Sequence, residues 1–319
     1  MFSTKKRTYK QHYNEKDSFY KYSSPKFTKQ QVLLENLNTD ICIVGGGLTG
    51  ISAALNLADQ GYDVCIVEAN QIGSGASGRN GGQLGIGMRK DQLYLENKFG
   101  FEKAEFFWNV GLDAVKNVTN LISKYNIDCA IKPGILHAGN TKKDYKYFLE
   151  EIEHMKSKYN YDNYEYFDEK AIKDEVNTDQ YYSGLLTKDS FHLNPLKLTY
   201  GLANQCLGKG IKIFENSPID KIEEKGNDIL LFSKNAVIKS KKVIIACNGY
   251  LDNLLGSVSN FFMPINNYII ATEPLGEKLA RQIIKRNCGV VDSRFMIDYY
   301  RFSEDHRLLF GGPETLTSK

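Results

Sequence analysis

The sequence predicts an α/β protein, and three observations carry that prediction. Residues 41–44 form a short apolar run, Ile-Cys-Ile-Val, with no polar alternation. A glycine-spaced turn follows it directly, and a second apolar run, Val64–Val67, ends in an acid. Continuous β-branched runs of this kind suit strands covered on both faces in a parallel sheet.

The elements follow in order. Gly45, Gly47 and Gly50 stand in G-x-G-x-x-G spacing after the first run. The first glycine permits a tight turn, the second a close backbone approach to a pyrophosphate, and the third close packing of the next helix on the strand. Residues 51–60 read as that helix, with Ala54 and Leu57 on its inner face, and Leu48 and Thr49 in the glycine turn are cofactor-binding candidates. Gly61 stands where a left-handed cap belongs. Glu68 and its neighbour Ala69 lie about 20 residues past the glycines, where a carboxylate takes the ribose hydroxyls of a dinucleotide. The helix N-terminus carries about half a positive charge, aimed at the pyrophosphate. No Arg or Lys follows Glu68 directly, which argues against a 2′-phosphate.

A second glycine-rich stretch, residues 73–83, holds five glycines in its first ten residues. Such density costs chain entropy unless the backbone needs unusual angles or close ligand approach. Ala76, Ser77, Arg79, Asn80, Gly81, Gly82 and Gln83 supply its donors and turns. This segment resembles the flavin-binding region of the D-amino-acid-oxidase-type FAD-dependent oxidoreductases. It is most similar to their gamma-glutamylputrescine oxidase branch, where GASGRNGGQ follows the ribose acid. The resemblance implies FAD as cofactor, with this loop running along the pyrophosphate to the flavin ring. It implies a Rossmann-like FAD-binding domain with a glutathione-reductase-type βαβ unit. An α+β substrate domain on a mixed or antiparallel sheet would be inserted into it.

Composition is that of an ordinary globular chain: 319 residues, 25% charged and 42% hydrophobic, enough for two domains with a sizeable core. No apolar run approaches a membrane span. The polar N-terminus lacks a secretory signal. Six scattered cysteines without a C-x-x-C pair suggest neither zinc nor a redox dithiol, and read as free thiols of a cytoplasmic protein. The first thirty residues hold eight basic and two acidic groups, so the net charge of +3 is more than accounted for there. That aromatic, basic arm could contact nucleic acid or an anionic membrane. The preferred reading is loose packing across the flavin domain, with Ser18, Phe19 and Tyr20 resembling a short aromatic segment ahead of the family's first strand. No nucleic acid partner is expected.

Residues 91–125 read as one helix with an apolar stripe through Phe106, Val110, Leu112, Val115, Val118, Leu121 and Ile122, and with Trp108 in its core. Residues 131–137 read as a strand. Residues 142–159 read as a helix with a solvated face at Glu150, Glu151 and Glu153. Residues 190–198 precede a further helix, with His192 readable as a base or, preferably, as a structural histidine. A strand at 210–214, a small hairpin around 219–232 and a buried strand at 242–246 follow. Residues 263–275 read as a strand, and 299–302 and 307–312 as two strands joined by a turn at Glu304 and Asp305.

By resemblance, the backbone of Ile219 holds the adenine, and Asn248 and Gly249 form a glycine turn near the cofactor. The domains expected are a basic arm at 1–37, a discontinuous FAD-binding domain at 38–128 plus 190–258, and a substrate domain at 129–189 plus 259–319. Tyr268, Tyr299 and Arg301 are candidates to line the substrate pocket, as ring walls for an amine or anchors for a carboxylate. No catalytic side chain and no metal ligand is assigned. The resemblance implies oxidation of an amine C–N bond, with oxygen as second substrate and hydrogen peroxide as product. A sarcosine- or glycine-type amino-acid oxidase and a truncated, non-catalytic remnant stay open. The family's pattern continues past Lys319 to a last part of the ring wall. A homo-oligomer or a separate C-terminal half is therefore also left open.

Overall fold

The structure is a computed structural model that describes residues 18–252, 254–261 and 263–315. Residues 1–17 of the basic arm, including Lys5, Lys6, Arg7, Tyr9, Lys10, Tyr13 and Lys16, lie outside the described residues, as does Lys319. Helix α1 (Phe19–Ser23) precedes β1 (Leu37–Val44), α2 (Leu48–Asp59) and β2 (Val64–Val67). A 3-10 turn at Ala76–Gly78 leads to the short β3 (Gln83–Leu84). Helices α3 (Gln92–Phe99) and α4 (Phe101–Lys124) precede β4 (Lys132–Gly139), α5 (Asp144–Tyr159) and β5 (Tyr164–Phe167). Next come α6 (Glu169–Glu175), β6 (Ser183–His192), α7 (Pro195–Gly208) and β7 (Lys212–Phe214). Strands β8 (Ile219–Lys225), β9 (Asp228–Ser233) and β10 (Val237–Ile245) follow, then a 3-10 turn at Asn248–Tyr250. The remainder is α8 (Gly256–Ser259), β11 (Asn266–Ala271), α9 (Glu277–Ile283), β12 (Gly289–Asp292), β13 (Tyr299–Phe302) and β14 (Leu308–Thr315).

Two sheets form. The first has the order β7-β2-β1-β10-β9-β8. Its strands β7, β2, β1 and β10 run parallel, and the β8–β9 hairpin extends it antiparallel from β10. The second has the order β11-β14-β13-β12-β4-β6-β3, with β5 also on β6, and is mixed: β12 and β4 are parallel, the rest antiparallel.

Side-chain alternation explains the apolar runs of β1 and β2. Ile41, Ile43, Val64 and Ile66 pack with α2 and α7. Cys42, Val44, Cys65 and Val67 turn to the opposite face, against Phe214, Leu231 and Ile238. Both faces are covered, so no polar residue is tolerated on either. Leu55 joins Ala54 on the buried face of α2, while Leu57 is half-buried. Asn194 caps α7, its Oδ1 accepting from the N–H groups of Leu196 and Lys197, with Pro195 in the first turn.

Several expectations are corrected. Residues 91–125 are two helices, because Gly100 (φ +83°, ψ 161°) interrupts them. The buried stripe of α4 is Ala104, Trp108, Gly111, Val115 and Ile122, whereas Phe106 and Val110 face solvent at 63% and 41% exposure. The rest of the expected stripe holds, with Val115 and Ile122 buried and Leu112, Val118 and Leu121 packed half-buried against the core. Strand β10 begins five residues earlier than expected, and its Lys242 is exposed and residues 243–245 only half-buried. It pairs with β9 first and with β1 along its whole length, so its cover changes along its course. The strand expected at 263–275 is confined to β11. Glu150 and Glu153 are exposed, but Glu151 is half-buried beside Tyr164, and burial pushes its carboxyl up to about 7.

The described part of the arm packs tightly, not loosely. Tyr20 and Leu33 are buried, Phe27 stacks on Tyr200 with ring centroids 5.1 Å apart, and Lys21 Nζ donates to Gln71 Oε1 at 2.8 Å. Leu37 already belongs to β1.

Candidate flavin-nucleotide site

The site grows from the carboxyl ends of β1, β2 and β10. Gly45 turns at φ +116°, and a Cβ there would lie 2.5 Å from the Ala246 carbonyl oxygen at the end of β10. A Cβ on Gly50 would lie 2.0 Å from the Gly45 oxygen, so α2 can start this close to β1 only with glycine at that position. Gly47 departs from expectation, since the space its Cβ would take belongs to Ser77 Oγ, 2.7 Å away. That hydroxyl accepts from Leu48 N–H at 2.9 Å. Ser77 therefore joins the second glycine loop to the first turn of α2, whose opening N–H groups (Thr49 among them) the helix cannot satisfy itself.

Glu68 closes the turn. Its Oε2 accepts from Gly46 N–H at 2.7 Å and its Oε1 from Asn70 N–H at 2.8 Å. Each oxygen keeps a further lone pair, which is the acceptor capacity two ribose hydroxyls require. Burial raises the Glu68 carboxyl above the usual carboxylate range, and the Glu215 charge adds to it, while backbone N–H groups oppose the shift. Ala69 is exposed beside it, and Ile219 packs against the cluster that holds Val67. Asn248, at φ +50°, and Gly249 form the turn after β10, with open space around Gly249.

The second loop is braced from within and from three other elements. Arg79 Nε donates to Ser74 O at 2.7 Å, and Asn80 Nδ2 donates to Ala76 O and Ser77 O. Asn80 Oδ1 accepts from Gly82 N–H at 2.8 Å. Tyr20 of α1 donates from its hydroxyl to Asn80 O at 2.9 Å. Arg301 of β13 donates from Nε to Gly81 O at 2.8 Å and from Nη2 to the Tyr20 hydroxyl at 3.0 Å. Gln83 Nε2 donates to Val290 O of β12 at 2.9 Å.

The substrate-pocket candidates separate. Arg301 is 4% exposed and clamps the loop, its guanidinium donating to Gly81 O, Phe302 O and the Tyr20 hydroxyl. It borders a cavity of 290 Å³, but Glu304 and Asp305 on that cavity's wall are already paired with Lys197 and Arg307. Tyr299 fits a ring wall better. Its ring fills the space that a Cβ would take on Gly81 of the loop and on Gly311 of β14. Its hydroxyl donates to Asn267 Oδ1, and burial pushes it up to about 12. Tyr268 stands 46% exposed on β11.

His192 is structural, as preferred. It is 1% exposed, its Nε2 meets Asn287 O at 2.7 Å, and burial with the nearby Arg301 charge pulls it down to about 4. The cysteines are free; burial pushes Cys247 up to about 11 and Cys206 up to about 12, so neither offers a thiolate. Among the described residues no His, Cys, Asp and Glu group could hold a metal ion. None of the described helices is long and apolar enough to cross a membrane.

Sequence reasoning missed Glu215, Tyr20 as a clamp, and Tyr250, whose ring would lie 3.1 Å from a Cβ on Gly75. A buried acid just past a strand was the one available signal for Glu215. The glycine cradle, the half-free carboxylate and the helix start fit an adenine dinucleotide in chemistry and in placement.

A twofold-braced glycine cradle over a parallel sheet defines a dinucleotide-binding oxidoreductase fold. Residues 40–318 match the family model "DAO: FAD dependent oxidoreductase", and the chain belongs to that family, whose cofactor is FAD. It is 36% identical over 296 residues to gamma-glutamylputrescine oxidoreductase of Escherichia coli, covering 92% of this chain and 69% of that one. It is 36% identical to the probable oxidoreductase OrdL of Haemophilus influenzae, covering 86% of this chain and 64% of the relative. The chain thus spans roughly two thirds of these relatives' own lengths. It is 23% identical to glycine oxidase of Bacillus licheniformis, covering 79% of this chain and 66% of that protein. The fold is similar to that of glycine oxidase from Geobacillus kaustophilus, with TM-score 0.67 and 17% identity over 88% of this chain and 72% of that one.

Proposed function

We propose that the chain is an FAD-dependent amine oxidase acting on a gamma-glutamylputrescine-like amine. The observation that carries this reading is the joined pair of glycine loops, closed by Glu68 at one end and by Tyr299 and Arg301 at the other. The family membership and the 36% identical relative support this substrate class. Bound FAD would supply the redox chemistry, taking a hydride from the carbon beside the amine nitrogen and passing its two electrons to oxygen to give hydrogen peroxide, while water hydrolyses the resulting imine.

The chain's own residues supply position. Gly45, Gly47, Leu48, Thr49 and Gly50 would hold the pyrophosphate, and Glu68 with Ala69 the ribose. Ile219, Asn248 and Gly249 border the adenosine side. Ala76, Ser77, Arg79, Asn80, Gly81, Gly82 and Gln83 carry the cofactor's path toward Tyr299. The first sheet is the nucleotide body and the second the substrate body, with β3, at the end of the second glycine loop, paired to β6 in the second sheet. The free thiols agree with a cytoplasmic location.

A second reading, oxidation of a short amino acid such as glycine or sarcosine, is favoured by the glycine oxidase relative. The test is the visible spectrum of the purified chain before and after anaerobic addition of gamma-glutamylputrescine, sarcosine and glycine in turn. Bleaching of a bound flavin by gamma-glutamylputrescine supports the first reading. Bleaching only by the short amino acids supports the second. A chain that retains no added FAD contradicts both, and marks it as non-catalytic by itself.

A further inference from the structure

Glu215 follows β7 directly and is 2% exposed. Among the described residues no basic side chain lies within ion-pair distance of it. A buried carboxylate without a cation needs hydrogen-bond donors, and Glu215 has two from the backbone. Its Oε1 accepts from Ile72 N–H at 2.8 Å, and its Oε2 accepts from Gln30 N–H at 2.9 Å. Three more bonds lace this corner to the ribose acid: Glu68 N–H to Phe214 O, Asn216 N–H to Asn70 O, and Ser217 N–H to Glu68 O, at 2.7–2.9 Å. Ser217 Oγ accepts from Leu33 N–H at 2.9 Å. The Ile72 side chain presses on the first glycine turn, 2.4 Å from where a Cβ on Gly46 would lie, and Gly73 N–H donates to Gly46 O at 3.1 Å.

We infer that Glu215 is a positioning residue: it fixes the 69–73 turn and residues 30–33 around Glu68, so that the Glu68 carboxylate stays aimed at the ribose. This rests on the proposed role of Glu68. The charged and titratable groups acting on the Glu68–Glu215 corner are those two carboxylates and the Cys247 thiol. The Glu215 charge also opposes ionisation of Glu68.

The test uses the full chain with Glu215→Gln, Glu215→Asp, Glu68→Ala and the Glu68→Ala/Glu215→Gln double variant. FAD affinity is read by flavin fluorescence, the pH of flavin release by titration, and amide exchange at Ile72 and Gln30 without FAD. Glu215→Gln should weaken FAD binding about tenfold, since its amide presents one donor to a backbone donor. It should raise exchange at Ile72 and Gln30 tenfold or more. It should also move flavin release to lower pH, because Glu68 stays ionised in more acid once the neighbouring charge is gone. Glu215→Asp keeps the charge, so it should weaken binding with the release pH unchanged. In the Glu68→Ala background the Glu215→Gln effect should shrink below threefold. Equal loss in both backgrounds, an unmoved release pH in Glu215→Gln, or unchanged exchange overturns the inference while leaving the ribose reading intact. Full FAD affinity in Glu68→Ala overturns the ribose reading and the inference with it.

Discussion

Arg301 and Glu68 are both charged groups drawn into the interior, and the chain satisfies them differently. Glu68 keeps acceptor capacity in reserve, whereas Arg301 gives its donors to Gly81 O, the Tyr20 hydroxyl and Phe302 O. Replacing Arg301 by Met removes the charge but strands the Gly81 carbonyl and unpins the loop. Arg301→Met should therefore destabilise the fold by about 2–4 kcal/mol, read as a lower urea midpoint. The substitution should also weaken FAD retention, whereas a pocket residue would change only the response to substrate. Arg301 was visible in the sequence as a candidate, but its role was not, because Tyr20 lies 281 residues away along the chain.

Among the elements, the α3–α4 junction turns on a single backbone conformation. Gly100 at φ +83° and ψ 161° occupies a region that residues with a Cβ scarcely reach. Gly100→Ala should cost about 1–3 kcal/mol, measurable by thermal unfolding, although a Cβ there meets open space. The parallel strands were legible because both their faces are apolar, so the run itself names the strand. The stripe of α4 was legible from Leu112 onward but not at its start, since Phe106 and Val110 are as apolar as the residues that are buried. The β8–β9 hairpin and the α2 cap at Gly61 were legible from local turn chemistry. Glu215 was not, because what makes it important is a backbone donor 185 residues away.

For the whole molecule, the ends of the sheets matter most. Among the described residues, strand β11 lies at the end of the second sheet, paired with β14 alone. Tyr268 and Ile270 on it are 46% and 66% exposed, and Phe261, Met263 and Ile265 just before it are 85%, 70% and 50% exposed. An apolar edge of this kind templates further pairing. The purified protein should self-associate with rising concentration, and Ile270→Lys should suppress this in light scattering while changing stability by less than about 0.5 kcal/mol. Equal association in Ile270→Lys would show that another face is responsible.

The first sheet carries one more consequence. Its two central strands are joined across a long stretch of chain, for Ser240 of β10 donates to the carbonyl of Asp40 in β1, 200 residues away. During synthesis β1, α2 and β2 emerge early, yet β10, which flanks β1 on its other side, is made 200 residues later, and closing so long a loop carries a large entropic cost. Such high contact order slows folding and leaves the β1 edge open to wrong partners until Ile245 has left the ribosome.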